Sequence, residues 1–487
     1  MSTVNSDLYQ VTNHLIEEGT IVDNELQIAF DEIGFDRQFI QQGIVKRSGD
    51  PIKRILFALV IFPLLGIETV KCFCGKFISA YLEGGKDVLY DFLKREDINW
   101  RKISMTTAKE VYLQNHLDLE EESALVVDDT LKIRRGSKVE GVSSHYDHNN
   151  DCYIMGQQIL ELALVNSKGL LPLDRQIYIG EKYRRERQKQ FNDGRSAVAK
   201  DYQDAKKLNK NQALSMMVRR SLKGGFRSKY LLGDSWFGTK GNLELALDSD
   251  LIGIFMMKRG KLQYRLQGGM YNAKGLFELI RRRMKRRGKQ RWRTYELVVD
   301  LNLHEKGQEE RWVQVKLVFT SPLNPSKDCW NLILTTDSSM KIEDILRVYA
   351  LRWSIEVYFK EIKQNMNFLK EQTGNYVCHY ASIHLAAIRF LLFFHMMLSN
   401  GYESLSQVRN TNANKMEVFS YMAVLWKVFR HLIYGVLDQF SSVIGGKLVQ
   451  EMKQSIEREI QEFLEQALSL DEQSFHLQNQ AESKGID

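Results

Sequence analysis

The stretch YALRWSIEVYFKEIK (349–363) constrains this chain more than any other part of it. At about 100° per residue, a helix here gathers Tyr349, Arg352, Glu356 and Lys363 within an arc of roughly 60°. Leu351, Ile355, Tyr358 and Ile362 recur on the opposite side as an apolar stripe that can bury itself and turn the polar ridge outward. Glu356 then stands between two cations. An ordinary amphipathic helix with a solvated face has the same periodicity, so the ridge by itself assigns no chemistry.

Two further segments do. ALVVDDT (124–130) is a short apolar, β-branched run that ends in Asp128 and Asp129, and KYLLGDSWFG (229–238) ends in a similar way at Asp234. Apolar strand interiors bury well, and the carboxylates sit where each strand would leave a sheet, the place where ligands collect in α/β proteins. Two strand-end aspartates and a helical glutamate, brought together, supply hard oxygen ligands for Mg²⁺ or Mn²⁺. Two such ions about 4 Å apart stabilise the attacking and leaving oxygens of an in-line phosphoryl displacement.

The spacing Y-x2-R-x3-E-x6-K at Tyr349, Arg352, Glu356 and Lys363 resembles the signature of the DDE transposases of insertion sequence family four. The D-x-T pattern at Asp128 to Thr130, the GDSWFG segment and WNLILTTD are similar to that family too. The resemblance covers about residues 120 to 370. It implies that Asp128, Asp234 and Glu356 are the catalytic, metal-binding acids, with Asp129 as the alternative to Asp128. It implies two Mg²⁺ ions, for which Mn²⁺ can substitute. It also implies that Tyr349, Arg352 and Lys363 hold transposon-end DNA, and that Trp330 stacks a base flipped from the duplex. Arginine offers a planar fork to phosphate and lysine a mobile charge, so the residue types suit that task.

The formal charge of +7 over 487 residues is modest for a DNA-binding protein, but RRRMKRRGKQRWR (281–293) concentrates cations in one run. Arg286 and Arg287 within it are expected to contact phosphates, a binding term that weakens steeply with salt. With 44% hydrophobic and 26% charged residues the chain is globular rather than disordered. Cys72, Cys74, Cys152, Cys329 and Cys378 are scattered, odd in number and match no four-ligand zinc spacing, so buried, reduced thiols in a reducing cytoplasm are expected. ILFALVIFPLLGI (55–67) is shorter than the ~20 residues a membrane helix needs and is closely flanked by Lys53, Arg54 and Lys71, so it reads as a core helix. No secretory signal is evident at the N-terminus. His145 and His148 lack a third partner and are left out of the site.

The expected fold class is α/β, a ribonuclease-H-like mixed sheet with a β-rich insertion and helical terminal regions. Residues 1–118 read as a helical DNA-binding or partner region and 119–259 as the first part of the catalytic core. Residues 260–338 read as the β-rich insertion with the basic run, 339–374 as the core helix carrying Glu356, and 375–487 as a helical region able to dimerise. The expected function is that of a DNA transposase acting on double-stranded transposon ends and target DNA. It would be a homodimer in the DNA complex, cytoplasmic and nucleoid-associated, without a membrane partner. The rival readings are a metal-dependent nuclease that cuts without joining and a non-catalytic, transposase-derived DNA-binding protein.

Overall fold

The computed structural model describes residues 24–459 other than 47, 137–138, 148–150, 184–188, 287–291, 305–308 and 324–328. Its contacts divide into two compact units, each considered by itself. The first comprises Met1–Arg95, Asn365–Gln372 and Ile388–Asp487, the second Glu96–Gln364 and Thr373–Ala387.

In the first unit, helices α1 (Asn24–Glu32), α2 (Phe35–Gln41), α3 (Ile52–Ile61), α4 (Val70–Lys76), α5 (Ile78–Tyr81) and α6 (Lys86–Leu93) follow one another. The apolar run expected to be a core helix is α3, in which Ile55 to Ile61 are all buried.

The second unit begins with α7 (Trp100–Gln114) and continues with β1 (Ala124–Ile133), β2 (Ser143–Asp147), β3 (Cys152–Asn166) and β4 (Gly169–Tyr178). Next come α8 (Ala197–Lys207), α9 (Lys210–Lys223), β5 (Tyr230–Gly233), α10 (Lys240–Asp248) and β6 (Ile252–Met256). Then follow β7 (Gln263–Leu266), β8 (Gly269–Asn272), α11 (Ala273–Ile280), β9 (Lys285–Arg286), β10 (Trp292–Asn302), β11 (Trp312–Pro322) and β12 (Asn331–Thr335). Two helices, α12 (Ile342–Ala350) and α13 (Trp353–Asn365), complete the sequence of elements up to the unit boundary. Among the described residues these strands form one 12-stranded sheet.

Its first half carries the site. β3 pairs antiparallel with both β4 and β1, β5 lies parallel to β1, and β6 lies parallel to β5. The order β4-β3-β1-β5-β6, with the first three strands antiparallel and the next two parallel to β1, is that of a ribonuclease-H-like core. Ala124 to Val127 have no exposed surface, as expected of a central strand covered on both faces. The β-rich insertion does not form a separate layer. β12 pairs antiparallel with β6 and then with β11, so the insertion prolongs the core sheet by main-chain hydrogen bonding.

Local signals fix the helices around the sheet. Asn209 and Gln212 form a reciprocal capping box at the start of α9, and Ser196 and Thr239 cap α8 and α10. The single helix expected over 349–363 is instead two. Amides of Leu351, Arg352, Ser354 and Ile355 bond to carbonyls three residues back, a tight turn that separates α12 from α13.

Two long helices follow, α14 (Tyr376–Ser399) and α15 (Leu405–Gln439), and further helical residues run to 459. α14 is long and apolar enough to cross a bilayer, and 89% of its apolar window is buried, as in the core helix of a folded domain. The thiols depart from expectation, since Cys72, Cys152 and Cys329 are exposed and Cys378 alone is buried.

Candidate active site

The parallel register of β1 and β5 runs from Ala124 against Tyr230 to Val127 against Gly233. Asp128 and Asp234 are the residues immediately after that last pair; Asp234 leaves the sheet there, whereas β1 runs on to Ile133 against β3, so Asp128 lies within its strand and not at the end expected of it. Asp234 begins the turn that follows β5, and its Oδ1 accepts from the Trp236 amide at 2.9 Å. Asp128 accepts from the Asp129 amide at 2.8 Å. Burial, followed by the charges of Asp234 and Asp129, pushes the Asp128 carboxyl up to about 7, against the opposing effects of that amide and of Arg352.

The pleat separates the two neighbouring aspartates. Asp129 points to the other face of the sheet, where Lys210 Nζ donates to it at 2.7 Å and Gln158 Nε2 at 2.6 Å. Asp128 instead accepts from Arg352 Nη1 at 3.2 Å, while Arg352 Nη2 donates to Glu356 Oε1 at 2.6 Å. One guanidinium thus joins a strand acid to the helix acid. The Tyr349 hydroxyl lies 3.5 Å from the Gly233 carbonyl, beside Asp234, and burial raises its pKa to about 12.

The underside of α13 is held by a buried ion pair. Glu161, the β3 partner of Asp128, is gripped by Arg175 of β4 at 3.1 Å, and both are fully buried. Tyr358, on the buried side of α13 with Ile355 and Ile362, faces the same pair. Ile355, Tyr358 and Ile362 of the apolar stripe read from the sequence therefore fix the helix against the sheet, whereas Leu351 falls in the turn before it and is half-buried.

Lys363 is not in contact with the acids. It sits near Lys132 of β1, and its pKa is lowered first by burial and then by the Lys132 charge. Sequence reasoning missed Lys132. The signal was available, because Asp128, Thr130 and Lys132 alternate onto one face of a strand. Arg286 is exposed on β9, whereas Arg287 lies outside the described residues. His148 lies outside them as well, and His145 is half-buried beside Ser143, with its pKa depressed to about 4 by burial and by Lys210.

Trp330 departs from the expected role. It is 4% exposed, Phe277 stacks on its ring at 4.3 Å and 6°, and the Arg259 guanidinium lies over it at 4.8 Å. It is a packed core tryptophan without an open face for a base. Trp292, 44% exposed, is the more accessible of the two indoles on a cavity of about 580 Å³ that Tyr349, Arg259 and Trp330 also line.

The donors of this cluster are all oxygen, which fits a hard divalent cation. Burial raises Asp128 most and the charges of Asp234 and Asp129 add to it; a bound cation would relieve that added repulsion. Among the described residues no three His, Cys, Asp or Glu side chains are already gathered as a metal cage, and Arg352 stands between Asp128 and Glu356.

A family model described as DDE superfamily endonuclease matches residues 78–270, and one described as Transposase DDE domain matches residues 191–388. No curated protein matches the chain. Among solved structures, the NurA nuclease from Sulfolobus solfataricus is similar at 12% identity over 52% of this chain and 84% of that one, with a TM-score of 0.23, a likeness too slight to carry an argument. The two family matches indicate an enzyme of the metal-dependent class that cuts DNA.

Proposed function

We propose that the protein is a DNA transposase that binds inverted terminal repeats and moves DNA by cutting and pasting, with Asp128, Asp234 and Glu356 as its catalytic acids. The observation that carries this reading is the placement of Asp128 and Asp234 directly after the last paired residues of β1 and β5, with Arg352 linking Asp128 to Glu356. The preference for Asp128 over Asp129 is supported by the hold of Lys210 on Asp129.

Bound between these carboxylates, two Mg²⁺ ions, or Mn²⁺ in their place, would stabilise the attacking and leaving oxygens of an in-line displacement at phosphorus. The chain's own residues do the rest. Glu356 and Asp128 would hold the cations, and Arg352, released from them, would take a phosphate oxygen of the transposon end through its planar fork. Lys363 and Lys132 hold the backbone beside it, and Tyr349 fixes the wall next to Asp234. Arg286 and Arg287 track phosphates further along the duplex. Trp292 offers the open aromatic face that a base splayed from the end would stack on.

The same site serves successive displacements: cleavage by water, attack of the freed 3′ hydroxyl on the opposite strand to give a hairpin, its opening, and attack on target DNA. A homodimer that pairs two ends and works at the nucleoid in the cytoplasm completes the reading.

The test is a strand-transfer assay on DNA carrying the element's own flanking ends, with and without Mg²⁺. Joined product with hairpin ends in transit supports transposition. Cleavage without joining leaves a nuclease, and stable binding without any metal-dependent cut leaves a DNA-binding derivative.

A further inference from the structure

A second cavity, of about 570 Å³, opens between α7 and the last turn of α9. Of its ten lining residues five are cationic, namely Arg101, Lys102, Lys109, Arg220 and Lys223, and none is acidic. Two of these charges are already answered from beneath. The fully buried Asp174 receives Arg101 Nε at 3.1 Å and Arg220 Nε at 2.7 Å, and buried Asp201 holds the other side of Arg101. That leaves three ammonium groups in excess.

Lys109 donates to the Gly225 carbonyl at 2.8 Å and lies over the rings of Tyr112 and Phe226, with Asp118 as the one acid acting on it and Arg227 opposing. Lys102 and Lys223 are exposed and have no carboxylate within salt-bridge distance among the described residues. Arg220 keeps its buried Nη2 without an acceptor. The C-terminal dipole of α9 accounts for cations at Arg220 and Lys223. It does not account for Lys102 and Lys109, which come from the first half and middle of α7. Two helices thus converge their cations on one concave space large enough for a phosphate and its sugar.

The site is remote from the acids. α9 starts at Lys210, which holds Asp129 on the sheet face opposite Asp128, and ends at Lys223 in this cavity. Thirteen residues at 1.5 Å rise put the two ends about 20 Å apart.

We propose that this cavity is a second binding site for the phosphate backbone of DNA, away from the catalytic acids. The assignment rests on the reading of the chain as a DNA enzyme, and goes beyond it by adding a binding surface away from the reacting phosphate. Lys102 and Lys223 supply the point charges, and Arg101, Arg220 and Lys109 form the floor.

The experiment measures binding of the full-length protein to a duplex of about 30 base pairs by fluorescence anisotropy, without divalent metal, across a series of salt concentrations. Removing two phosphate contacts in the double variant K102A/K223A should lower the slope of log affinity against log salt by about 2, with roughly tenfold weaker binding near 0.1 M salt. Circular dichroism confirms that the double variant folds. K274A/K341A, which removes two exposed lysines elsewhere, should keep the parental slope. An unchanged slope in K102A/K223A overturns the proposal, and so does an equal loss in K274A/K341A, which would mark a general charge effect. Inorganic pyrophosphate is titrated in parallel by calorimetry. If it binds the parent and not K102A/K223A while the duplex slope stays unchanged, the cavity takes free anions and the backbone assignment falls. Nicking of supercoiled plasmid by D234N tests the enzymatic reading separately: retained metal-dependent nicking removes that reading of the acids without touching the slope result.

Discussion

Asp128 and Glu356 are joined by a single guanidinium, Arg352, which donates 3.2 Å to the first and 2.6 Å to the second. Two carboxylates from a strand and a helix are thereby drawn to one cation before any metal arrives. Removing that cation should expose their repulsion. R352A is expected to lower stability at pH 8 by about 1 kcal/mol, a discounted figure because Glu356 is 37% exposed and screened. R352K should recover only part, since an ammonium cannot fork between two acids. Urea midpoints decide, and an R352A midpoint equal to the parent's would mean that the bridge contributes nothing.

The raised Asp128 pKa gives a stability prediction of defined sign. The folded chain holds that proton up to about 7, whereas an unfolded aspartate releases it near 4. Between those values the folded state binds more protons, so this group's contribution to stability falls as pH rises through the window. D128N removes the effect. It should melt higher than the parent at pH 8, by an equivalent of about 1 kcal/mol after loss of the Arg352 contact, with the advantage gone near pH 4. A variant that melts lower at pH 8 than the parent contradicts the assignment.

Loss of either of the other two acids should separate chemistry from binding. D234N and E356Q are each expected to cost about 4 kcal/mol of barrier, roughly a thousandfold in metal-dependent cleavage rate. DNA affinity without metal should stay within about twofold, because neither acid is a phosphate ligand. Near-normal cleavage by one variant would remove that residue from the site.

The GDSWFG segment contains a glycine demanded by close approach. A Cβ added at Gly238 would stand 2.2 Å from the Met256 carbonyl oxygen, a backbone atom that cannot step aside. G238A should therefore destabilise by about 2–4 kcal/mol. G241A, where a Cβ meets nothing within 4 Å, should be neutral or slightly stabilising. Thermal melts of the two variants check the contrast.

The two tryptophans on the 580 Å³ cavity should behave oppositely. W330A opens a void beneath Phe277 and Arg259 and is expected to cost about 3–5 kcal/mol in stability. W292A should leave the melting temperature nearly unchanged and weaken binding of DNA ends carrying an unpaired base by roughly 1–3 kcal/mol. Equal affinity of W292A and parent for such ends would exclude Trp292 as the stacking surface.

Local chemistry made much of this protein legible. ALVV and YLLG are apolar and short, so each reads as a buried strand, and the acid after YLLG marks the end of β5, whereas β1 runs on past Asp128 to Ile133. Ile355, Tyr358 and Ile362 repeat at helical spacing and are buried as that spacing requires. These features depend on neighbours in the chain, and a sequence records its neighbours directly. Tertiary structure alone decided the rest. Whether Asp128 or Asp129 faced Glu356 depended on the pleat of β1 and on Lys210 arriving from α9. The break between α12 and α13 replaced a helix that periodicity drew as continuous, because angular spacing does not register a turn that tightens from four residues to three. The burial of Trp330 was set by Phe277 and Arg259, more than fifty residues earlier in the chain. The insertion joined the core sheet because β12 found the edge of β6, a pairing written in main-chain hydrogen bonds that side-chain patterns do not encode.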